Sequence, residues 1–264
     1  MPEESFTTIT EKLAVPIYED ALSPFAKEVS KGLVSIASMV NSGVFLVEDS
    51  VIALTNVLRM TAENLAILPP DRISFERPRI ALQALNEAKY LINEHEIQSL
   101  FSNLITSSLD IDNSNTAHPA YIEVIKQLQS DEALVLKYMF DKEKHRKGHG
   151  PTIDVICSNT DSHGNGMTST TSEINLICED AGCKSPSNSV LYFSNLKRTG
   201  LLDHSSSGTS FPPEEHERIF LSEKTKLITE RNPHLDKSSF KSGQYNFTGF
   251  GHGFVESCIS NSSI

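Results

Sequence analysis

Apolar residues recur early in the chain at Leu33, Ile36, Val40, Val44, Val47, Val51, Leu54 and Leu58, with steps of 3, 4, 4, 3, 4, 3 and 4. Such steps keep side chains on one side of an α-helix, so the pattern predicts a long helix over about 24–68 with an apolar seam. Its uncharged centre, GLVSIASMVNSGVFLV from Gly32 to Val47, is 16 residues long. Crossing a bilayer takes about 20, and Ser35, Ser38, Asn41 and Ser42 interrupt the run. Packing against another helix is therefore the expected use, and a membrane contact through residues 32–47 is the alternative.

Leu68-Pro69-Pro70 ends that helix, because proline lacks the amide the next turn needs. Pro78 opens another, with Ile80, Leu82, Leu85, Ala88, Leu91 and Ile92 on its predicted face. EIQSLFSNLITSSLD, Glu96 to Asp110, predicts a helix burying Leu100, Phe101, Leu104 and Ile105. The loop IDNSNTA follows, rich in residues that favour turns, and Pro119 then opens a short helix, YIEVIKQL.

Ser130-Asp131-Glu132 has the form of a helix start, with acidic residues placed at the positive end of the helix dipole. A domain boundary is expected here, dividing the chain into an α-helical domain, 1–129, and a second domain, 130–264. DKEKHRKGHG and SNTDSHGNGMTSTTS, Ser158 to Ser172, have loop composition. Beyond them SEINLICEDAGC predicts a helix, and SNSVLYFSNLKRTGLL predicts another that stops at Gly200. RIFLSE and YNFTG then predict a β-hairpin, with a further helix, SEKTKLITERN, between its strands and a closing helix from about Phe250. A helix ending in a Gly-Leu turn before a β-hairpin is the order of a winged helix. The expected fold class is mainly α: a helical N-terminal region followed by a winged-helix-like C-terminal region with a small β-hairpin.

Charge narrows the partners. The net charge is −11; residues 1–129 carry 9 Lys and Arg against 17 Asp and Glu, and residues 130–264 carry 14 against 17. Polyanions are drawn to local basic patches, and neither half is rich in them. The four cysteines, Cys157, Cys178, Cys183 and Cys258, sit in a chain long enough to fold without disulfide staples. The start, MPEESFTTITEK, lacks the basic flank and apolar run of a secretory signal, so a cytoplasmic location is expected.

Two stretches, EIQSLFSNLITSSLD and HPAYIEVIKQLQSDEALVLKYM from His118 to Met139, resemble the bacterial Abi-alpha (abortive infection alpha) proteins. IYEDALSPFAKEVSKGL near the start, and LYFSNLKRTGLL with YNFTGFGHGFVESC near the end, extend the resemblance in order along nearly the whole chain. It implies a role in defence against phage in which the infected cell stops growing or dies. It implies no reaction and carries no catalytic residues onto this sequence. The Ser- and Gly-rich segment after Phe140 departs from the family's pattern.

Candidate chemistry is sparse. Cys178 and Cys183, with Cys157, His145, His149 and His163 upstream, lack the two tight ligand pairs of a structural zinc site, so no metal is expected. GFGHGF, Gly249 to Phe254, has alternating glycines but neither the Lys-Ser/Thr of a P-loop nor the spacing of a dinucleotide fingerprint. A tight turn into the final helix is the better account, and no cofactor is expected. His118-Pro119 marks a structural junction where the imidazole caps or bridges a helix. No GxSxG, HExxH or kinase pattern occurs, which predicts a non-enzymatic protein. Lys197 and Arg198 at the end of the recognition-like helix, with Lys184 before it, are the candidate contacts to a partner or to nucleic acid. Three cations are few for a DNA reader, so charge disfavours nucleic acid. An unknown protein partner is the leading expectation, with self-association also open. A winged-helix DNA-binding transcriptional regulator is the alternative function.

Overall fold

A computed structural model describes residues 31–33, 35, 48–76, 78–91, 93–141, 149–160, 166–206, 213–233, 235 and 239–260. The chain is mostly helical, with a small four-stranded antiparallel sheet toward its C-terminal end. Two compact units are present, one holding the described residues up to Ala133 together with those from Gly253 onward, the other running Leu134–His252.

The first unit contains α1 (Glu48–Ala66), α2 (Arg79–Ala88), α3 (His95–Leu109) and α4 (Ala120–Ile125). The predicted seam is realised at Leu33, Leu54 and Leu58, each with no exposed surface. Ile36, Val40, Val44 and Val47, and with them most of the 32–47 run, lie outside the described residues. Among the described residues no helix is long and apolar enough to cross a membrane. Pro78 stands at the start of α2 and Pro119 at the start of α4, as their missing amides require. The face α2 buries is Ala81, Ala84, Leu85 and Ala88. Expected Ile80 and Leu82 are only half-buried, because the alanines let the helix backbone approach its neighbours more closely.

Helix α3 is the centre of this unit, with α1, α2 and α4 against it. It buries the four expected apolar residues and also Ser102, Asn103, Thr106 and Ser107. Those polar side chains have specific duties. Asn103 accepts from Asn64 of α1 at 2.8 Å and donates to the Cys258 carbonyl at 2.9 Å, while Ser107 donates to the Ser257 carbonyl at 2.8 Å. They thus satisfy the carbonyls that the last turn of any helix leaves open, here those of α10 (Gly249–Cys258). At the end of α3, Arg72 clasps the buried Asp110 carboxylate through Nε at 3.0 Å and through a terminal nitrogen at 2.5 Å.

Helix α5 (Ser130–Asp141) begins where its sequence predicts. Glu132 reaches back to accept from the Gln129 amide at 2.7 Å, half of a capping box.

The second unit is built on β1 (His149–Thr160), β2 (Gly166–Ile174), β3 (Leu202–Ser205) and β4 (Phe240–Phe247), in the order β2-β1-β4-β3. Three expectations are corrected here. Residues 158–160 and 166–172, with the composition of a loop, belong to the β1–β2 hairpin; their run of β-branched threonines suits a strand. SEINLICEDAGC is not one helix, since Glu173 and Ile174 finish β2 and only Ile177–Asp180, α6, is helical. The Asn175 side chain accepts from the Ile177 amide at 3.2 Å and sets that late start. RIFLSE is not a strand either. It ends α8 (Pro213–Phe220), which has proline at its first position and glutamates in its first turn, and it leads through Ser222 into α9 (Glu223–Arg231). The partners of β4 are instead β1 and β3.

Strand alternation gives the sheet two faces. Ile153, Val155 and Ile174 pack against Ile219 and Leu235 on one, with Ile228 and Phe240 at the margin, so α8 and α9 cover it. The other face carries Thr152, Asp154, Glu173, His204, Gly243 and Tyr245, as the pairs Thr152 with Gly243, Asp154 with Glu173 and His204 with Tyr245 require. Against it lies α7 (Ser189–Arg198), whose Phe193 ring stacks on Tyr245 at 4.1 Å between centroids.

Candidate functional site

Helix α7 ends where the sequence places its stop. Gly200 takes φ +77°, and the Gly200 and Leu201 amides donate to the carbonyls of Lys197 and Leu196, both at 3.0 Å. This is a Schellman turn, in which a left-handed glycine folds the chain back over the last helical turn and brings two side chains together, here Leu196 and Leu201. With the end fixed, the helical period decides which residues face the sheet: Ser189, Tyr192, Phe193 and Leu196 are buried. Val190 and Leu191 fall off that stripe and stand 78% and 59% exposed, with Ser194 and Arg198 continuing the outward face. Two large apolar side chains thus sit together on solvent at the start of α7.

Beneath α7 lies a polar cluster. The His204 ring sets Nε2 3.0 Å from Asp154 Oδ1 and 3.1 Å from the Thr152 hydroxyl, with Nδ1 3.6 Å from Glu173. Thr152 also donates to Asp154 at 3.0 Å. Tyr245 donates to Glu173 at 2.5 Å, and Lys197 donates to both oxygens of the same carboxylate at 2.8 and 2.7 Å. Room for this cluster comes from Gly243: a Cβ there would stand 2.6 Å from the Thr152 hydroxyl and 2.7 Å from Asp154 Oδ2. Burial by itself would raise the Asp154 pKa, but hydrogen bonds from His204, Ser206 and Thr152 outweigh it and hold the carboxyl below its usual range. Burial, and then the Glu173 carboxylate, push the Tyr245 hydroxyl far up. Thr152 and Asp154 have no exposed surface. The hydroxyl, imidazole and carboxylates together brace the sheet under α7.

The candidate cations are dispersed by this geometry. Lys197 points back into the cluster, its ammonium also 5.8 Å from the centre of the Tyr245 ring. Arg198 lies along the helix, donating to Asn195 Oδ1 at 2.6 Å. Lys184 is exposed in the turn between α6 and α7. His118 acts locally: its Nδ1 accepts from the Ala120 amide at 3.1 Å, capping α4 beside Pro119, and its ring meets Tyr121 edge to face.

Among the described residues no group of three or more metal-ligating side chains forms. His145 and His163 lie outside the described residues, as do the side chains of His149 and Cys157. The glycines of GFGHGF do the work of packing. A Cβ on Gly251 would collide with the Leu201 carbonyl oxygen, and Thr248 caps α10 by accepting from the Gly251 amide at 2.9 Å.

Sequence reasoning missed both the exposed pair and the cluster. For Val190 and Leu191 a signal exists: the stripe through Tyr192, Phe193 and Leu196 leaves both outside it. For the cluster there is none, since Thr152, Glu173, His204 and Gly243 are far apart in sequence and meet only through strand register.

The pattern of one family, abortive infection alpha, matches residues 50–258. No curated protein matches, and no solved structure matches.

Proposed function

The chain belongs to the abortive infection alpha family, whose role is defence against phage by abortive infection, and from that premise we propose that it acts without catalysis, in the cytosol, by binding a protein partner through the outward face of α7. The order α5, β1, α6, α7, β3 and β4, with β4 lying between β1 and β3, supports reading the second unit as a winged helix. In that reading β2 and the α8–α9 pair are additions, and α7 holds the place of the recognition helix.

The observation that carries the proposal is the pair Val190 and Leu191, 78% and 59% exposed at the start of α7. Apolar side chains at the centre of a contact contribute through desolvation, whereas a helix reading a duplex needs cations and hydrogen-bonding side chains there. The inward turn of Lys197 onto Glu173 argues the same way.

The test is a phage challenge of a bacterial strain expressing either the wild-type chain or Val190→Glu/Leu191→Glu. Wild type should protect the culture at low phage dose, with arrest or lysis at high dose, and should recover a partner in crosslinking during infection. The double variant, folded by circular dichroism, should lose both. Full protection by the double variant would overturn the role of this face. Salt-sensitive binding of duplex DNA that disappears on Lys197→Ala/Arg198→Ala would replace it with transcriptional control.

A further inference from the structure

Helix α6 ends in the same kind of turn as α7. Gly182 takes φ +70°, its amide donates to the Glu179 carbonyl at 3.2 Å, and the Cys183 amide donates to the Cys178 carbonyl at 3.0 Å. The five-to-two and six-to-one bonds define a Schellman turn, and its geometry presses together the side chains three residues before and two after the helix cap. At the end of α7 those positions hold Leu196 and Leu201, an ordinary apolar contact. At the end of α6 they hold Cys178 and Cys183, and the two thiols interact directly. The turn's backbone bonds thus already hold the two cysteines beside each other, the relation a disulfide needs.

We propose that Cys178 and Cys183 form a thiol pair that hydrogen peroxide oxidises to an intramolecular disulfide, locking the turn that leads toward α7. Cys183 is the point of attack, because it keeps 8% of its surface exposed while Cys178 keeps none. Its sulfur, as thiolate, attacks one peroxide oxygen; the O–O bond breaks, an S–O bond forms, and the departing hydroxide takes up a proton to leave as water. The Cys178 sulfur then gives up its proton and attacks the sulfenic sulfur; the S–S bond forms, the S–O bond breaks, and a second water leaves. Two thiols lose two electrons in total, and one peroxide becomes two waters. Burial, and then the neighbouring thiol, raise the Cys178 pKa, so the resolving step waits on loss of that proton and runs faster as pH rises. Cys258 is the internal comparison, fully buried in the other unit, its thiol pushed well up by burial.

The experiment exposes the purified full chain to hydrogen peroxide under native conditions, quenches it, unfolds it, alkylates it and maps the peptides. The expected product is the segment holding Cys178 and Cys183, resistant to alkylation until reduced, with Cys258 still alkylatable. Cys178→Ser should then leave a sulfenic acid on Cys183 that a 1,3-diketone traps. Two fully alkylated thiols at 178 and 183 after peroxide treatment would overturn the proposal, as would a disulfide joining either of them to Cys157. Repeating the reaction in urea separates a property of the fold from one of the sequence: the native pairing should exceed the unfolded yield, and equal yields would also overturn it.

Discussion

Lys197 of α7 donates to both carboxylate oxygens of Glu173 at the end of β2, at 2.8 and 2.7 Å, so a cation of the predicted recognition helix is spent on the sheet beneath it. The two side chains keep 33% and 24% of their surface exposed, which screens the pair. Lys197→Ala should therefore lower unfolding stability by about 1 kcal/mol in urea titrations. The deficit should shrink in 1 M salt, where the Debye length falls to about 3 Å.

The Asp154 carboxyl carries a pH dependence whose sign is determined. Its pKa is lower folded than unfolded, so the stability it contributes is present above the unfolded value of about 3.9 and is lost as pH falls through the folded value. Asp154→Asn should cost about 3 kcal/mol at pH 7, the order expected for losing hydrogen bonds to a buried carboxylate. Urea midpoints of wild type and variant should converge as the pH is taken below the folded value. A gap that stays constant with pH would show that shape, not charge, makes the site.

Gly243 of β4 and Gly251 of α10 test the packing account. Gly243→Ala drives a methyl into Thr152 and Asp154, and should cost about 2 kcal/mol, a typical overpacking penalty.

Within GFGHGF the glycines should separate sharply. Gly251→Ala meets the backbone carbonyl of Leu201, which cannot rotate away, and should cost about 3 kcal/mol. Gly249→Ala opens onto free space in the same helix and should stay within about 1 kcal/mol of wild type, on the stabilising side. Thermal melts of the two variants are sufficient; equal effects would contradict a packing role.

Asn103→Ala removes the bridge between Asn64 and the Cys258 carbonyl, taking the Asn103 donor from that carbonyl and leaving the half-buried Asn64 amide with its Ser102 contact. A loss of about 2 kcal/mol or more is expected by chemical denaturation. Asn103→Leu should do no better, since the carbonyl still loses that donor.

Local chemistry was legible wherever one short segment decides the outcome. Pro78 and Pro119 open their helices, Gly200 ends α7, Ser130 begins α5, and the Leu54–Leu58 seam is buried, because proline, left-handed glycine and helical period act within a few residues. The family was legible too, from EIQSLFSNLITSSLD and the His118 to Met139 stretch. Tertiary structure alone decided the rest. Asn103 and Ser107 look like solvent-facing residues until α10 arrives with unsatisfied carbonyls. The Ser- and Thr-rich end of the β1–β2 hairpin, residues 158–160 and 166–172, has no apolar alternation to announce it, and β4 found β1 and β3 rather than RIFLSE because pairing is chosen among distant segments. The Asp154–His204–Glu173 cluster, and with it the turn of Lys197 onto Glu173, exists only through that register. Sequence sets what each segment can form by itself; contacts between distant segments set which of its faces meet water.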